Sequence, residues 1–395
     1  MQTDLTQQQS KVIIPIMALA AGVIVANVYY NQPILNEIGK SLNTAESLIG
    51  KISMLAQLGY GLGMFFLLPL GDKVNRKKLI VGLCMALVVV LGLTSCAQNA
   101  TQILILSFFV GLFSSPAQII LPMAATLGKE NRGKNVGKVF SGILIGILGA
   151  RVLSGLITTY LGWRLVFAIS AAMVLLVMLL LHRFLPEIPS KFSGSYGRLL
   201  QSTLRLVKQY KTLRQAALLG SFTFGVFCSF WTTLTFHLSS EPLNYSTATI
   251  GLFGLIAIGG ALVAPVFGRI ADKGKVFKGL FITVSLLLGS IVLIKLFPYS
   301  IIALIGSIFF LDIGVQATQI INFTRIYALD EQAHSRLNTI YMTTYFIGAA
   351  VGTFFGLWSW KIGNWNMATS QMLLWSGIAL LLVYLSYRST VQKRD

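Results

Sequence analysis

Two charged residues of opposite sign lie deep within long apolar stretches, Arg151 in the first half of the chain and Asp312 in the second. A charge at the centre of a bilayer costs about 3 kcal/mol or more, so it normally persists only where it lines a cavity or meets a partner. A carboxyl group away from water holds its proton more tightly, and a nearby guanidinium favours the ionised form. If the two groups approach in one conformation and separate in another, the carboxyl group binds and releases a proton. We interpret them as a proton-coupling pair, and a static salt bridge is the alternative.

Uncharged amide side chains recur in the same apolar stretches. Gln316, Gln319 and Asn322 follow Asp312 at helical spacing, which keeps them on one broad face. Amides orient ligands without a counter-charge, and aromatic rings suit flat or amphiphilic ligands and cations. The alternatives are hydrogen bonds between helices and aromatic residues at the lipid interface. The substrate site that we predict consists of Asn27, Tyr30, Asn31, Gln32, Gln118, Trp231, Gln316, Gln319 and Asn322.

The composition indicates a membrane protein. The chain is 55% hydrophobic and only 11% charged, whereas soluble domains carry about 25% charged residues. Apolar runs long enough to cross a bilayer recur throughout, and an open sheet would leave unpaired backbone groups in lipid. We therefore predict an all-α protein with twelve transmembrane spans, numbered 1 to 12 in chain order: 12–33, 49–70, 79–97, 102–126, 139–161, 165–183, 215–238, 249–270, 276–296, 300–326, 338–360 and 368–388.

The net charge of +19 reflects topology. Lysine and arginine concentrate at both chain ends and in alternate loops, which is the bias of loops on the cytoplasmic side. This distribution predicts cytoplasmic termini and contact with anionic membrane lipids, and it argues against a nucleic-acid partner. We expect a monomer.

The sequence divides into two related halves. A hydrophilic stretch from Phe184 to Arg214 separates them, and it contains a predicted basic amphipathic helix. We predict an N-terminal six-helix bundle over 1–183, a cytoplasmic linker over 184–214 and a C-terminal six-helix bundle over 215–395. Asp72-Lys73 recurs as Asp272-Lys273, and Gln118 corresponds to Gln319. Such pseudo-symmetric halves place a binding site between them, near the middle of the membrane.

Several motifs resemble one known family. The loop Gly71–Lys78, an aspartate followed by basic residues, resembles the cytoplasmic signature of the major facilitator superfamily. Tyr29–Pro33, Gly149–Gly155 and Leu311–Gln316 are similar to segments of its bacterial drug/proton-antiporter-like branch, the sugar and drug efflux permeases. The resemblance implies the major facilitator fold, a bacterial inner-membrane location and proton-coupled export of a small organic compound by alternating access. Uptake by proton symport on the same fold, and a membrane receptor that binds without transport, are the alternatives.

The resemblance also implies a gate on the cytoplasmic side. Asp72 and Arg76, with Asp272 and Arg325 of the second half, would join in the outward-open state and separate in the inward-open one. A basic loop that only anchors the chain to lipid accounts for the lysines of this loop but not for Asp72.

Stripes of small residues recur every four positions in span 5 (Gly142, Gly146, Ala150, Ser154) and span 11 (Gly348, Gly352, Gly356). Small residues let helices approach closely. In the resembled fold, spans 5 and 8 meet across the halves, as do spans 2 and 11. The stripes are therefore either faces on which the halves rock or sites of simple tight packing.

Other function classes leave no trace in the sequence. It has no Gly-x-x-x-x-Gly-Lys-[Ser/Thr] loop for a nucleotide, so an ion gradient is the expected energy source. The three cysteines have no metal-type spacing, and there is no nucleophile–base pair. We predict a transporter that is not an enzyme and has neither cofactor nor metal. We expect its substrate to be neutral or mildly cationic.

Overall fold

The computed structural model describes residues 7–126, 132–187, 194–257, 259, 275–330 and 333–391, and in these ranges the chain forms helices and no strands. The membrane-crossing helices are Gln7–Ala26 (span 1), Lys51–Phe66 (span 2), Arg76–Ser95 (span 3), Ala100–Phe113 with Pro116–Thr126 (span 4), Arg132–Leu161 (span 5), Trp163–Phe184 (span 6), Lys211–Ser239 (span 7), Val276–Leu296 (span 9), Ile301–Tyr327 (span 10) and His334–Val391 (spans 11 and 12). Shorter helices are Leu35–Ser41, Glu46–Ile49, Leu70–Lys73, Tyr196–Gln209 and Thr247–Leu252, with 3-10 turns at Gln32–Ile34 and Phe253–Leu255.

These helices agree with the predicted twelve spans. Nine helices in the described ranges are long and apolar enough to cross a membrane, and Val12–Ala26 is a shorter apolar helix. His334–Val391 supplies two spans because its backbone breaks at Gly363 and Asn364, where Asn364 has a left-handed φ of 49°. Span 8 begins at Thr247, and most of its second part lies outside the described residues. The prediction of an all-helical membrane protein is confirmed.

Polar side chains at the ends of short loops cap the spans that follow. Asn75 accepts hydrogen bonds from the backbone N–H groups of Lys77 and Lys78, at 3.0 and 3.3 Å, and so caps span 3. Asn99 caps span 4 by accepting from Gln102 at 2.9 Å. Such caps satisfy N–H groups that have no partner within the helix.

The small-residue stripes pack spans tightly within each half. Gly142 and Gly146 of span 5 lie against Ala18 and Gly22 of span 1, and a Cβ atom added to Gly22 would lie 2.5 Å from the Gly142 carbonyl oxygen. Contact this close between backbones requires glycine.

The C-terminal half repeats this arrangement. Gly348, Gly352 and Gly356 of span 11 lie against Ser221, Gly225 and Ser229 of span 7. Spans 1 and 5 therefore correspond to spans 7 and 11. The reading of these glycine stripes as rocking faces between the halves is wrong, because they meet partners in their own half.

Other positions join the halves. Gly155 of span 5 lies against Thr247 and Gly251 of span 8. Between spans 2 and 11, Thr353 donates a hydrogen bond to Gln57 at 2.9 Å. These contacts are the span pairs that the family resemblance implies.

Further contacts close the two halves on one side of the membrane. We call the side that carries the Asp72 loop and the linker helix Tyr196–Gln209 the basic side, and the other the opposite side. On the opposite side, the Trp360 indole N–H donates to Glu46 at 2.8 Å. The Thr235 hydroxyl donates to the Gln32 carbonyl oxygen at 2.9 Å. The predicted linker helix is present, and its Tyr196 hydroxyl donates to the Phe66 carbonyl oxygen at 2.5 Å, at the basic end of span 2.

Candidate functional site

Arg151 lies in a pocket of aromatic rings between the two halves. Its side chain is 1% exposed. Its Nε donates a hydrogen bond to Gln32 Oε1 at 3.1 Å. The Cζ atom lies 4.2 Å from the ring centroid of Trp231, with Tyr29 at 5.5 Å and Phe227 at 5.6 Å. The attraction between a cation and an aromatic face is strongest where water is excluded, so this pocket fixes the guanidinium in place.

Several donors around this guanidinium have no hydrogen-bond acceptor among the residues that the structure describes. Arg151 Nη1 and Nη2, Gln32 Nε2 and Trp231 Nε1 are all buried without a hydrogen-bond partner. Leaving a buried donor unsatisfied costs about 1–3 kcal/mol, and more for a charged group. Such a cluster of unmet donors is rare in a packed interior, and it marks this position as a candidate binding site.

Asp312 is the acidic counterpart in the C-terminal half. It is also 1% exposed, and within the described ranges its Oδ2 has no hydrogen-bond partner. Arg151 is close enough to interact with it electrostatically, but no salt bridge within 4.0 Å joins the two residues. Each lies about ten residues, or roughly 15 Å, from the end of its helix on the opposite side. In this conformation the pair is therefore not the static salt bridge of the alternative reading.

Three buried tyrosines complete the centre, and the sequence prediction did not include them. Tyr29 and Tyr345 belong to the same electrostatic cluster as Arg151 and Asp312. Tyr345 stacks on Phe224 with centroids 3.9 Å apart. Tyr60 accepts a hydrogen bond from the half-buried Gln118 at 3.3 Å. The signal for them was a phenol within a predicted apolar span, because its hydroxyl needs a partner there.

The predicted amides of span 1 make structural contacts. Asn27 donates to the Val23 and Ile24 carbonyl oxygens and accepts from Ser170 at 2.7 Å. Asn31 donates to the Val28 carbonyl oxygen and accepts from the Ser53 hydroxyl.

The side chain of Tyr30 is 4% exposed, and its hydroxyl lies beside Ser170 of span 6. Asn27 and Asn31 therefore bond to protein of their own half. Gln32 alone among the predicted polar residues of span 1 reaches Arg151.

The amide residues of span 10 also differ from one another in burial and in their contacts. Asn322 is fully buried, donates to the Ala216 carbonyl oxygen at 3.3 Å and accepts from Arg325 at 3.2 Å. Gln319 is half-buried and points its amide nitrogen toward Met342 Sδ at 3.6 Å. Gln316, one helical turn from Asp312, is half-buried. Their predicted roles in substrate binding stay predictions, and the bonds of Asn322 link helices of one half.

The predicted gate residues pair within their own halves. Arg76 donates to Asp72 at 2.8 Å and to the Gly71 carbonyl oxygen at 3.0 Å. Arg325 donates to Asn322 and lies over the Phe277 ring at 5.5 Å. Asp272 lies outside the described residues.

Comparison with known proteins agrees with this architecture. A sequence model of the Major Facilitator Superfamily matches residues 17–353. The chain is 39% identical to the "Uncharacterized transporter YgaY" of Escherichia coli O157:H7, over 94% of this chain and 97% of that protein. It is 25% identical to a "Probable sugar efflux transporter" of Helicobacter acinonychis, over 86% of each chain.

Among solved structures, a bacterial homologue of the human lysosomal transporter Spinster, in an inward-facing and unoccupied conformation, superposes with a TM-score of 0.78. It has 14% sequence identity, and the match covers 98% of this chain and 99% of that one. At this identity the likeness concerns the fold. The chain belongs to the Major Facilitator Superfamily, and it is a membrane transporter of small molecules, not an enzyme.

Proposed function

We propose that the chain exports a small organic compound in exchange for protons, with Asp312 as the proton-binding group and Arg151 as the charge that controls it. One observation carries the proposal. A carboxyl group at mid-membrane depth is buried with an unpartnered oxygen, near a guanidinium of the other half with which it makes no salt bridge. Ionisable residues at this depth mark proton and ion pathways.

The location of the two groups on different halves supports coupling. Arg151 belongs to span 5 and Asp312 to span 10, so any rocking of the halves changes the distance between them. At 4 Å and an effective dielectric constant of 20, two unit charges interact by about 4 kcal/mol. About 1.4 kcal/mol changes the affinity of a group for a proton tenfold. A modest change in the distance between Arg151 and Asp312 therefore makes the carboxyl group bind or release a proton.

The contacts of the halves support alternating access. Trp360 with Glu46, and Thr235 with Gln32, close the opposite side, while Asp72 bonds to Arg76 of its own loop. We propose that the basic side faces the cytoplasm of a bacterial cell and that the gate residues meet across the halves when that side closes. The relative named as a sugar efflux transporter supports export of a small organic compound.

Proton-driven flux in reconstituted vesicles tests the proposal. The purified chain is incorporated into liposomes containing a trapped pH dye, and sugars, amphiphilic drugs and organic acids are applied one at a time. We expect at least one compound to move protons in the opposite direction to itself in wild-type vesicles and not in Asp312→Asn. Glu37→Gln is the control, because Glu37 forms a surface ion pair with Lys40.

The alternatives give different results. Movement of compound and protons in the same direction would identify an uptake symporter instead. Binding with no flux of any compound would identify a receptor. Undiminished pH-driven flux in Asp312→Asn would exclude Asp312 as the proton site.

A further inference from the structure

We propose that Arg151 and Gln32 form a docking site for an oxyanion, and that the transported compound is an organic anion with a carboxylate or phosphate group. The inference rests on the proposed function for its assumption that the ligand is transported. It changes the expected substrate class, because the sequence alone indicated a neutral or mildly cationic molecule.

The donors that carry the inference lie side by side. Arg151 Nε uses Gln32 Oε1 as its acceptor at 3.1 Å, so the amide nitrogen of the same Gln32 side chain lies next to the guanidinium. Arg151 Nη1, Arg151 Nη2 and Gln32 Nε2 are buried, and no described residue supplies an acceptor to them. Three nitrogen atoms therefore offer N–H groups from one small region. An oxyanion supplies acceptors in the number and charge that they require.

The guanidinium is held in the orientation that such a ligand needs. Trp231 covers one of its faces at 4.2 Å, and Gln32 holds Nε. The two terminal nitrogens remain free for two parallel hydrogen bonds, the bidentate geometry by which arginine recognises carboxylate and phosphate. Because the donors are already oriented, binding an anion costs little conformational entropy.

Neighbouring groups fit an organic anion. Tyr29 and Phe227 lie 5.5 and 5.6 Å from the guanidinium carbon, and both side chains are buried. Their rings would pack against the carbon skeleton of a ligand whose charged end contacts Arg151. Asp312 does not take the place of the ligand here, because no salt bridge within 4.0 Å joins it to Arg151.

Ligand-dependent thermal shift of the purified full chain tests the inference without requiring transport. Benzoate is compared with benzamide, and glucuronate with glucose, since each pair differs mainly in the charged group. Phenyl phosphate distinguishes phosphate from carboxylate. We expect an anion to bind about tenfold or more tightly than its neutral partner, as for hydrogen bonds to a charged group. Arg151→Gln should remove this preference, and Gln32→Leu should weaken anion binding about fivefold.

Arg164→Gln is the matched control. Arg164 lies 4.3 Å from the Trp163 ring, but its terminal nitrogens donate to Ser41 and to the Ala97 carbonyl oxygen. We expect its loss to leave the anion preference unchanged. If Arg151→Gln does not fold, Arg151→Lys replaces it, and it should retain the charge but lose most of the preference because lysine cannot form the paired contact.

The outcomes separate this inference from the proposed function. Equal binding of charged and neutral partners, binding unchanged in the Arg151 variants, or no probe that binds wild type better than Arg151→Gln would each overturn the anion site. Such a result together with pH-driven flux would leave proton antiport in place. Anion binding that depends on Arg151, without pH-driven flux, would support the site and refute antiport.

Discussion

Two arginines of the N-terminal half stack on tryptophan rings at almost the same distance, in different surroundings. The Cζ atom of Arg151 lies 4.2 Å from the Trp231 centroid, and that of Arg164 lies 4.3 Å from the Trp163 centroid. Arg164 is exposed at the junction of spans 5 and 6. Its terminal nitrogens have acceptors, whereas those of Arg151 are buried without one in the part of the chain that the structure describes.

The comparison distinguishes the stacking that positions an arginine from the unsatisfied hydrogen-bond donors that allow it to bind a ligand. Stacking on an aromatic face positions a guanidinium equally well in both places. Water and loop oxygens meet the hydrogen-bonding needs of Arg164, so its contact stabilises a loop and contributes about 0.5–1 kcal/mol. In the protein interior the same contact leaves the Arg151 guanidinium with N–H groups that have no acceptor. A ligand or a carboxylate can supply the acceptors that these groups need.

The largest effect should come from removing the carboxyl group near Arg151. Asp312→Asn is expected to abolish transport driven by a pH gradient, because the amide neither binds nor releases a proton. Exchange of ligand across the membrane without a proton gradient should continue, since Arg151 and Trp231 are unchanged. Counterflow of labelled substrate in vesicles measures this exchange. Loss of both activities would indicate that Asp312 supports the fold or binds substrate directly.

Replacing each stacked arginine by lysine tests the comparison directly. We expect Arg151→Lys to lower the transport rate about tenfold or more, because a lysine ammonium cannot reproduce a forked contact. Arg164→Lys should change the rate less than about twofold, as for an exposed site. Initial rates of flux at matched protein density measure both effects. Wild-type kinetics in Arg151→Lys would contradict a role for paired hydrogen bonds from the guanidinium.

Removing each tryptophan ring tests the same comparison through ligand affinity. Trp231→Leu leaves Arg151 without the face that orients it, and a desolvated cation–π contact is worth about 2 kcal/mol, or roughly a thirtyfold loss of affinity. Trp163→Leu should alter thermal stability slightly and leave ligand affinity unchanged. Titration of ligand by thermal shift compares the two variants. Equal losses of affinity would mean that both rings act only through packing.

The smallest effect on ligand binding should come from the basic side. Asp72→Asn removes the negative charge from the 2.8 Å contact with Arg76, far from Arg151, so it should slow transport severalfold without changing affinity. Parallel measurements of transport rate and of ligand affinity distinguish a gate from a binding residue. A large loss of ligand affinity would indicate that Asp72 belongs to the binding site.

The helices were predictable because their signal is local. The length of each apolar run defines a span, and the basic loops define the sides on which the loops lie. Arg151, Gln32 and Trp231 were each identified individually, from charge at depth, from an amide and from an aromatic ring. Their contact was not predictable, because these residues come from three spans and no local pattern specifies which faces meet.

Two of the predicted amides already have hydrogen-bond partners in the protein. Asn27 and Asn322 have the composition of cavity-lining residues, but carbonyl oxygens and a serine or an arginine satisfy them within one half. A buried amide must find partners, and neighbouring helices provide them as readily as a ligand does. The glycine stripes were identified correctly as close-packing faces, yet only the tertiary structure assigned them to partners within each half.

By itself the sequence determined a helical membrane protein of two related halves, with one arginine and one aspartate at mid-depth, because hydrophobic length and the cost of buried charge act on each segment separately. Only the tertiary structure decided that Arg151 lies on Trp231 beside Gln32 and makes no salt bridge with Asp312. Hydrogen bonds and cation–π contacts act over a few ångströms, so they depend on how distant segments pack together.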